Sequence, residues 1–369
     1  MKKLLLIISI LILCGLGGFL TWRRNKADWY GYQTYAFNTE CEFFFYGREP
    51  DCDRIAQHCL HEMLSIDRSL NRFSKDSAVT LFNQQPPNTP FECDQYLAAA
   101  FRASADAYQQ TAGAFDVTIG PLMDFWKQQS GRELTENDRD ALETAKSSVG
   151  FDKLKFEYIT TQEEYTGANV QVMTTCKLAS GMRVDFGGIA KGLALDLIAA
   201  QLKPELDAKH IDGAFLDFGG NFVYLGNNAI SIFDDATIAQ PEEQALADDS
   251  TDDDAETPIL GIIHNWHGRY VSTSSNAYRP LGKKADGQKV SHIIEPSTGQ
   301  PTAQFSSVTA IAANGAQSDA FSTAVFARGR ALAEELVKHC PNTAFVLKSA
   351  TTNDVIPIGN VQFTQAIQK

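Results

Sequence analysis

The chain has 369 residues, 44% of them hydrophobic, and a formal net charge of −13. That length builds one large domain or two fused ones with ample core. The acidic balance speaks against a nucleic-acid partner, whose phosphates call for clustered Lys and Arg.

The first residues stand apart. Two lysines precede a mostly apolar run from Leu4 to Trp22, followed by Arg23, Arg24 and Lys26. The run is long enough to span a bilayer, and no small-x-small cleavage site follows it. An uncleaved anchor over residues 1–26 is therefore expected, with a signal segment or a lipid anchor at Cys14 as alternatives. Basic residues on both sides leave the orientation open.

Beyond it, the composition of Tyr32–Gly47 predicts a strand. Asp51–Leu70 reads as an amphipathic helix with Ile55, Cys59, Met63 and Ile66 on one face. A turn and short helix follow over Arg72–Asn83, then a helix from Phe91 to Gly113. Gly113–Trp126 has strand or turn character, and Thr135–Val149 is helical. Met182–Phe186 reads as a strand, Ala190–Leu202 as a helix ended by Pro204, and Gly213–Gly226 as a strand pair around a glycine turn. Glu242–Glu256 carries eight acidic residues and no basic one. It reads as a solvated insertion near 239–257, since its carboxylates lack the glycine-turn spacing of a calcium loop. Strands are expected over Ile259–Trp266, Arg269–Ser275, Lys289–Pro296 and Ser307–Ala313, then a helix over Ser318–His339 and a strand over Ala344–Leu347. Without a strict βαβ rhythm, the expectation is an α+β fold of mixed, largely antiparallel sheets packed with helices over residues 27–369. Seven cysteines include no C-x-x-C pair, which argues against zinc and thioredoxin-type chemistry.

Four stretches bear on chemistry. "VDFGGIAKG", Val184–Gly192, ends an apolar run on two glycines at the start of a helix, where backbone N–H groups and the helix dipole favour an anion. It is neither G-x-G-x-x-G, since Ile189 stands at the third glycine, nor a P-loop, since Leu193 follows Lys191-Gly192. Tight strand-on-helix packing is its plain structural reading. In "SDAFSTAVF", Asp319 and Thr323 are four apart on one helical face with Ser318 as N-cap. Those hard oxygens suit Mg²⁺; a capped helix whose threonine bonds its own backbone needs no metal. In "VSHIIEPSTGQP", His292 emerges among Val290 and Ile294 before a turn, as a core histidine, a general base or a phosphate contact. In "TAGAFDVTIGPL", Phe115 and Asp116 could stack on and hydrogen-bond a planar ring, or fill the core.

Together with "SIDRSLNRFSKDSAVTLFN" and "YAFNTECEFFFYG", these stretches resemble the FAD:protein FMN transferase (ApbE) family from about Tyr35 to Gly329. The resemblance implies an enzyme attached to the bacterial inner membrane and facing the periplasm. It implies cleavage of FAD with Mg²⁺ and transfer of FMN through a phosphoester to a threonine of a partner protein, releasing AMP. Membrane electron-transfer subunits are the family's usual acceptors. By the same resemblance, Asp319 and Thr323 are similar to metal ligands, joined by the carbonyl of Gly188. Ser322 takes a position that is a second aspartate in some members. Asp185 and Lys191 resemble nucleotide contacts, as do Ala114, Phe115 and Asp116. Phe37 and Phe73 stand where the family often has methionine and tyrosine, and Ile293 and Ile294 would line the flavin. His292 resembles the catalytic histidine, with Asp319 as the other proton acceptor, and Glu295 replaces the usual aspartate after "SHII". A Mg²⁺-dependent FAD pyrophosphatase is the alternative, because water can replace the threonine. A non-catalytic periplasmic FAD-binding protein is the alternative of another class, and the intact set Asp319, Thr323 and His292 counts against it.

Overall fold

The computed structural model describes residues 26–129, 132–162, 169–226, 236–239, 259–264, 266, 268–276, 281–283, 289–302, 304–352 and 354–365. Residues 1–25, on which the anchor expectation rests, and the acidic stretch Glu242–Glu256 lie outside them. Among the described residues no helix is long and apolar enough to cross a membrane.

The centre is one sheet of eight strands: β1 (Ala27–Ala36), β2 (Thr39–Arg48), β3 (Ile211–Phe218), β4 (Asn221–Gly226), β5 (Tyr270–Ser275), β6 (Phe305–Ala312), β7 (Ala344–Ser349) and β8 (Val355–Gly359). They lie side by side in chain order, and each pair is antiparallel. The fold is thus α+β with a mostly antiparallel sheet, as expected. One expected strand becomes two. Tyr32–Gly47 turns back on itself at Phe37 and Asn38, whose φ values of 51° and 61° give the left-handed two-residue turn that suits a twisted hairpin. Outside this sheet, Phe91–Glu92 and Lys155–Gln162 flank Asn169–Lys177, and Ala236–Ala239 and Gln362–Gln365 flank Ile259–His264.

The described helices are α1 (Glu49–Leu70), α2 (Ala78–Asn83), α3 (Gln95–Gln110), α4 (Gly120–Gln129), α5 (Glu136–Ser147), α6 (Ala190–Asp207), α7 (Gly315–Arg328) and α8 (Arg330–His339). In α1 the expected face of Ile55, Cys59, Met63 and Ile66 is buried in the largest apolar cluster, against Phe43 and Phe45 of β2. Each such side chain removed from water contributes roughly 1.5–3 kcal/mol. The six described cysteines are free, and burial pushes the thiols of Cys41, Cys52 and Cys59 up to about 12.

Several boundaries differ from expectation, each for a local reason. Asp94 accepts from the Leu97 N–H and starts α3 there, leaving Phe91–Glu92 as a strand. The Gly113–Trp126 stretch contains the start of α4, with Pro121 in its first turn, where a missing N–H costs nothing. Met182–Phe186 forms no ladder: only Arg183 makes a bridge, to Ile119. Pro204 lies inside α6 rather than ending it. The single helix expected over Ser318–His339 breaks at Gly329, whose φ is 101°. Its N-cap is Asn314, which accepts from Gln317 N–H at 2.8 Å; Ser318 lies inside the helix.

Candidate active site

The glycine-rich stretch is held from below before it turns. Asn83 clasps Val184, donating to its carbonyl and accepting its N–H, both at 2.8 Å. Asp185 N–H reaches the Val117 carbonyl at 2.7 Å. The chain then turns through Gly187–Ile189 into α6, with the N–H groups of Ile189 and Ala190 both on the Phe186 carbonyl. Asp185 has both oxygens engaged: one accepts from Gly187 N–H at 2.9 Å, the other pairs with Arg72. Arg72 also bonds Asp124 at 3.2 Å and lies over the Phe73 ring, 5.8 Å from its centroid. Neighbouring Asp185 holds its guanidinium above the usual range. Asp124 in turn pairs with Arg183 at 3.0 Å, on the wall of a groove of about 520 Å³ lined also by Asn83 and Met182.

The starts of α6 and α7 meet backbone to backbone. A methyl group on Gly192 would sit 2.0 Å from the Gly315 carbonyl oxygen, so only glycine permits this approach. Each helix caps the other. Asp196 of α6 accepts from Gly315 and Ala316 N–H at 2.6 and 2.9 Å, and Asp319 of α7 accepts from Gly192 N–H at 3.0 Å. Burial pushes the Asp196 carboxyl up to about 6 against those two N–H bonds. Asp319 is 4% exposed, and its second oxygen accepts from no described residue.

Thr323 stands one turn further along α7. A methyl on Gly188 would lie 3.0 Å from Thr323 Oγ1 and 3.2 Å from the Phe115 ring, so Gly188, Thr323 and Phe115 converge. Ser322 is fully buried and its hydroxyl is taken, donating to the Asp319 carbonyl at 2.9 Å and meeting Ser274 Oγ at 2.8 Å. Ser274 also lies 3.2 Å from Thr323 Oγ1. Sequence reasoning missed Ser274, although alternation along "RYVSTSS" puts Ser272 and Ser274 on one face, and Ser272 bonds Ser318 of α7 at 2.7 Å. Among the described residues no three His, Cys, Asp or Glu side chains gather. The oxygens fit a hard cation that binds through one carboxylate, a hydroxyl and a substrate's phosphates. In that set Asp319 and Thr323 are the available side chains, and Ser322 is already spent. Lys191, half-buried in the first turn of α6, makes no ion pair among the described residues.

Most of the other predicted residues are occupied by the fold. Phe37 is buried at the β1–β2 turn, while Phe73 is 64% exposed. Ala114 and Asp116 brace the turn after α3. Ala114 N–H bonds the Thr111 carbonyl, and Asp116 accepts from the N–H and hydroxyl of Thr118 and from Phe151 N–H. Asp116 thus serves the fold with both oxygens, and burial raises its pKa. Ile293 packs with Phe305 and Phe326, and Ile294 with Leu122 and Trp126, so both fill apolar clusters. His292 sits between them, half-buried, in a segment pinned by the Ser291 bond to Asn276 at 2.5 Å. Glu295 anchors the following turn. Burial would raise its pKa, but bonds from Ser297, Arg328 and Thr298 N–H outweigh it and lower the value.

The ApbE family profile matches residues 37–347. The chain belongs to the ApbE family. A relative from Treponema pallidum named FAD:protein FMN transferase is 28% identical over 341 residues, covering 90% of this chain and 88% of its own. One of the same name from Klebsiella pneumoniae is 27% identical over 274 residues, covering 74% and 70%. The flavin transferase ApbE of Vibrio cholerae superimposes on this ApbE-family chain with a TM-score of 0.68 at 20% identity, over 91% of this chain and 98% of that one. The ApbE protein of Thermotoga maritima does so with a TM-score of 0.67 at 22% identity, over 90% and 97%.

Proposed function

We propose that this ApbE-family transferase cleaves the pyrophosphate of FAD with Mg²⁺ and attaches FMN through a phosphoester to a threonine of an acceptor protein. The observation that carries the reading is the meeting of two helix N-termini beside Lys191, Thr323 and the spare oxygen of Asp319. The dipole ends of the two helices and the Lys191 ammonium favour an anion there, although most of the first-turn N–H groups are already capped. Phosphoryl transfer asks a protein mainly for positioning and charge neutralisation. Mg²⁺, held by Asp319, Thr323 and the Gly188 carbonyl, supplies positive charge against the phosphates when bound.

The chain's own groups do the rest. Lys191 and the positive dipole end of α6 orient the pyrophosphate, and Phe73 offers a ring face for the flavin. The acceptor hydroxyl oxygen bonds the FMN phosphorus as the bond to AMP breaks. Its proton passes to His292 or Asp319, and AMP leaves. Acceptors among membrane electron-transfer subunits, a periplasmic site at the inner membrane and the N-terminal anchor complete the proposal, and they rest on the sequence.

The test is full-length protein in detergent with FAD, Mg²⁺ and an acceptor protein, following intact mass and AMP together. A mass gain of one FMN per acceptor, lost with chelator, is the expected outcome. AMP and free FMN without a mass gain would replace the reading by hydrolysis.

A further inference from the structure

We infer that Asp67 is a positioning residue for the flavin ring. The inference rests on the reading of Phe73 as a flavin contact. One oxygen of Asp67, near the end of α1, accepts two hydrogen bonds: from Phe37 N–H at 2.7 Å and from Asn71 Nδ2 at 3.0 Å. Asn71 passes the link on, its side-chain oxygen accepting from Phe73 N–H at 3.0 Å, while its own N–H closes the last turn of α1 on the Asp67 carbonyl at 2.9 Å. A single carboxylate therefore ties the tip of the β1–β2 hairpin to the loop that carries Phe73.

Both things it ties need holding. Phe37 has φ of 51°, a left-handed backbone unfavourable for a bulky residue that persists only when its surroundings impose it. Phe73 is 64% exposed, so apolar packing does not fix its ring. Among the described residues the Asn71 link holds its backbone, and the Arg72 guanidinium lies over its ring face. Arg72 is itself locked to Asp185 and Asp124. With the backbone that carries it fixed, the ring has less freedom left to lose when a planar ligand stacks on it. Asp67 acts through others and touches no reacting atom, so its signature is in FAD affinity rather than in the chemical step.

The experiment compares wild type, Asp67→Ala and Asp67→Asn in FMN transfer, with direct FAD binding by quenching of flavin fluorescence. Asp67→Ala is expected to raise KM for FAD about tenfold with kcat within about twofold, the scale of one aromatic contact. Asp67→Asn keeps an acceptor oxygen and restores KM to within about threefold. An unchanged KM in Asp67→Ala overturns the inference, as does a parallel loss in both variants that tracks melting temperature. Failure of wild type to bind FAD would sink the functional reading itself, and this inference with it. Wild-type binding alongside an indifferent Asp67→Ala would sink this inference alone.

Discussion

Two carboxylates do the same structural job at one seam and are left in different states by it. Asp196 spends both oxygens on the N-terminus of α7, on the N–H groups of Gly315 and Ala316. Asp319 spends one oxygen on the N-terminus of α6, on Gly192, and keeps the other. The first is a closed cap. The second is a cap with a valence to spare, next to Thr323 and Gly188. A buried carboxylate held by an N–H on one side is aimed and ready on the other, which is what a hard-cation site requires.

The most damaging way to test this pairing is to part the helices. Gly192→Ala pushes a methyl into the Gly315 carbonyl at 2.0 Å. It should cost about 3 kcal/mol or more in chemical denaturation, because overpacked backbone has nowhere to go. Near-normal stability would mean that the backbone contact does not set the spacing. Next come the two carboxylates themselves. Asp319→Ala should lower FMN transfer by about 100-fold while costing about 1 kcal/mol of stability as a lost cap. Asp196→Ala should cost about 1–2 kcal/mol and leave transfer within about threefold. If Asp196→Ala silences transfer as thoroughly as Asp319→Ala, the distinction between closed and open cap fails.

The last contrast is in pH dependence. Asp196 is raised from 3.8 to about 6 in the folded chain, so the folded state binds its proton more tightly than the unfolded state does. The stability this group contributes is fully present below its unfolded pKa and is lost as pH rises through about 6. The stability of wild type relative to Asp196→Asn should therefore shrink between about pH 4 and pH 7, measured by urea midpoints at each pH. A difference flat across that window would remove burial as the cause.

Much of this was legible in the sequence because it is local. The apolar face of α1, the four-residue spacing of Asp319 and Thr323 and the turn chemistry after Ile294 all reach the structure as read. What escaped depends on distant partners. Nothing near Ser322 announces that Ser274 of β5 will meet it, whereas the Asn314 cap of α7 had a local signal, a favoured N-cap residue four positions before Ser318. Ile293 and Ile294 read alike in sequence, yet they enter different clusters because Phe326 lies on one side and Trp126 on the other. Asp116 reads in sequence as a ligand contact or a core residue, and what engages both its oxygens includes Phe151 N–H, brought from far along the chain. The break at Gly329 did have a signal, a glycine inside a helical pattern, which the strong flanking periodicity outweighed.

The order of the central sheet has a kinetic meaning. Residues 49–210 separate β2 from β3, which must nevertheless pair along their length. Closing so long a loop is slow compared with folding the adjacent β3–β4 hairpin. Phe73, Phe115, Asp185, Gly188 and Lys191 all lie inside that span, and Thr323 and Asp319 lie beyond it. The site thus joins residues inside this span to residues beyond it, through contacts of high sequence separation that form more slowly than local ones.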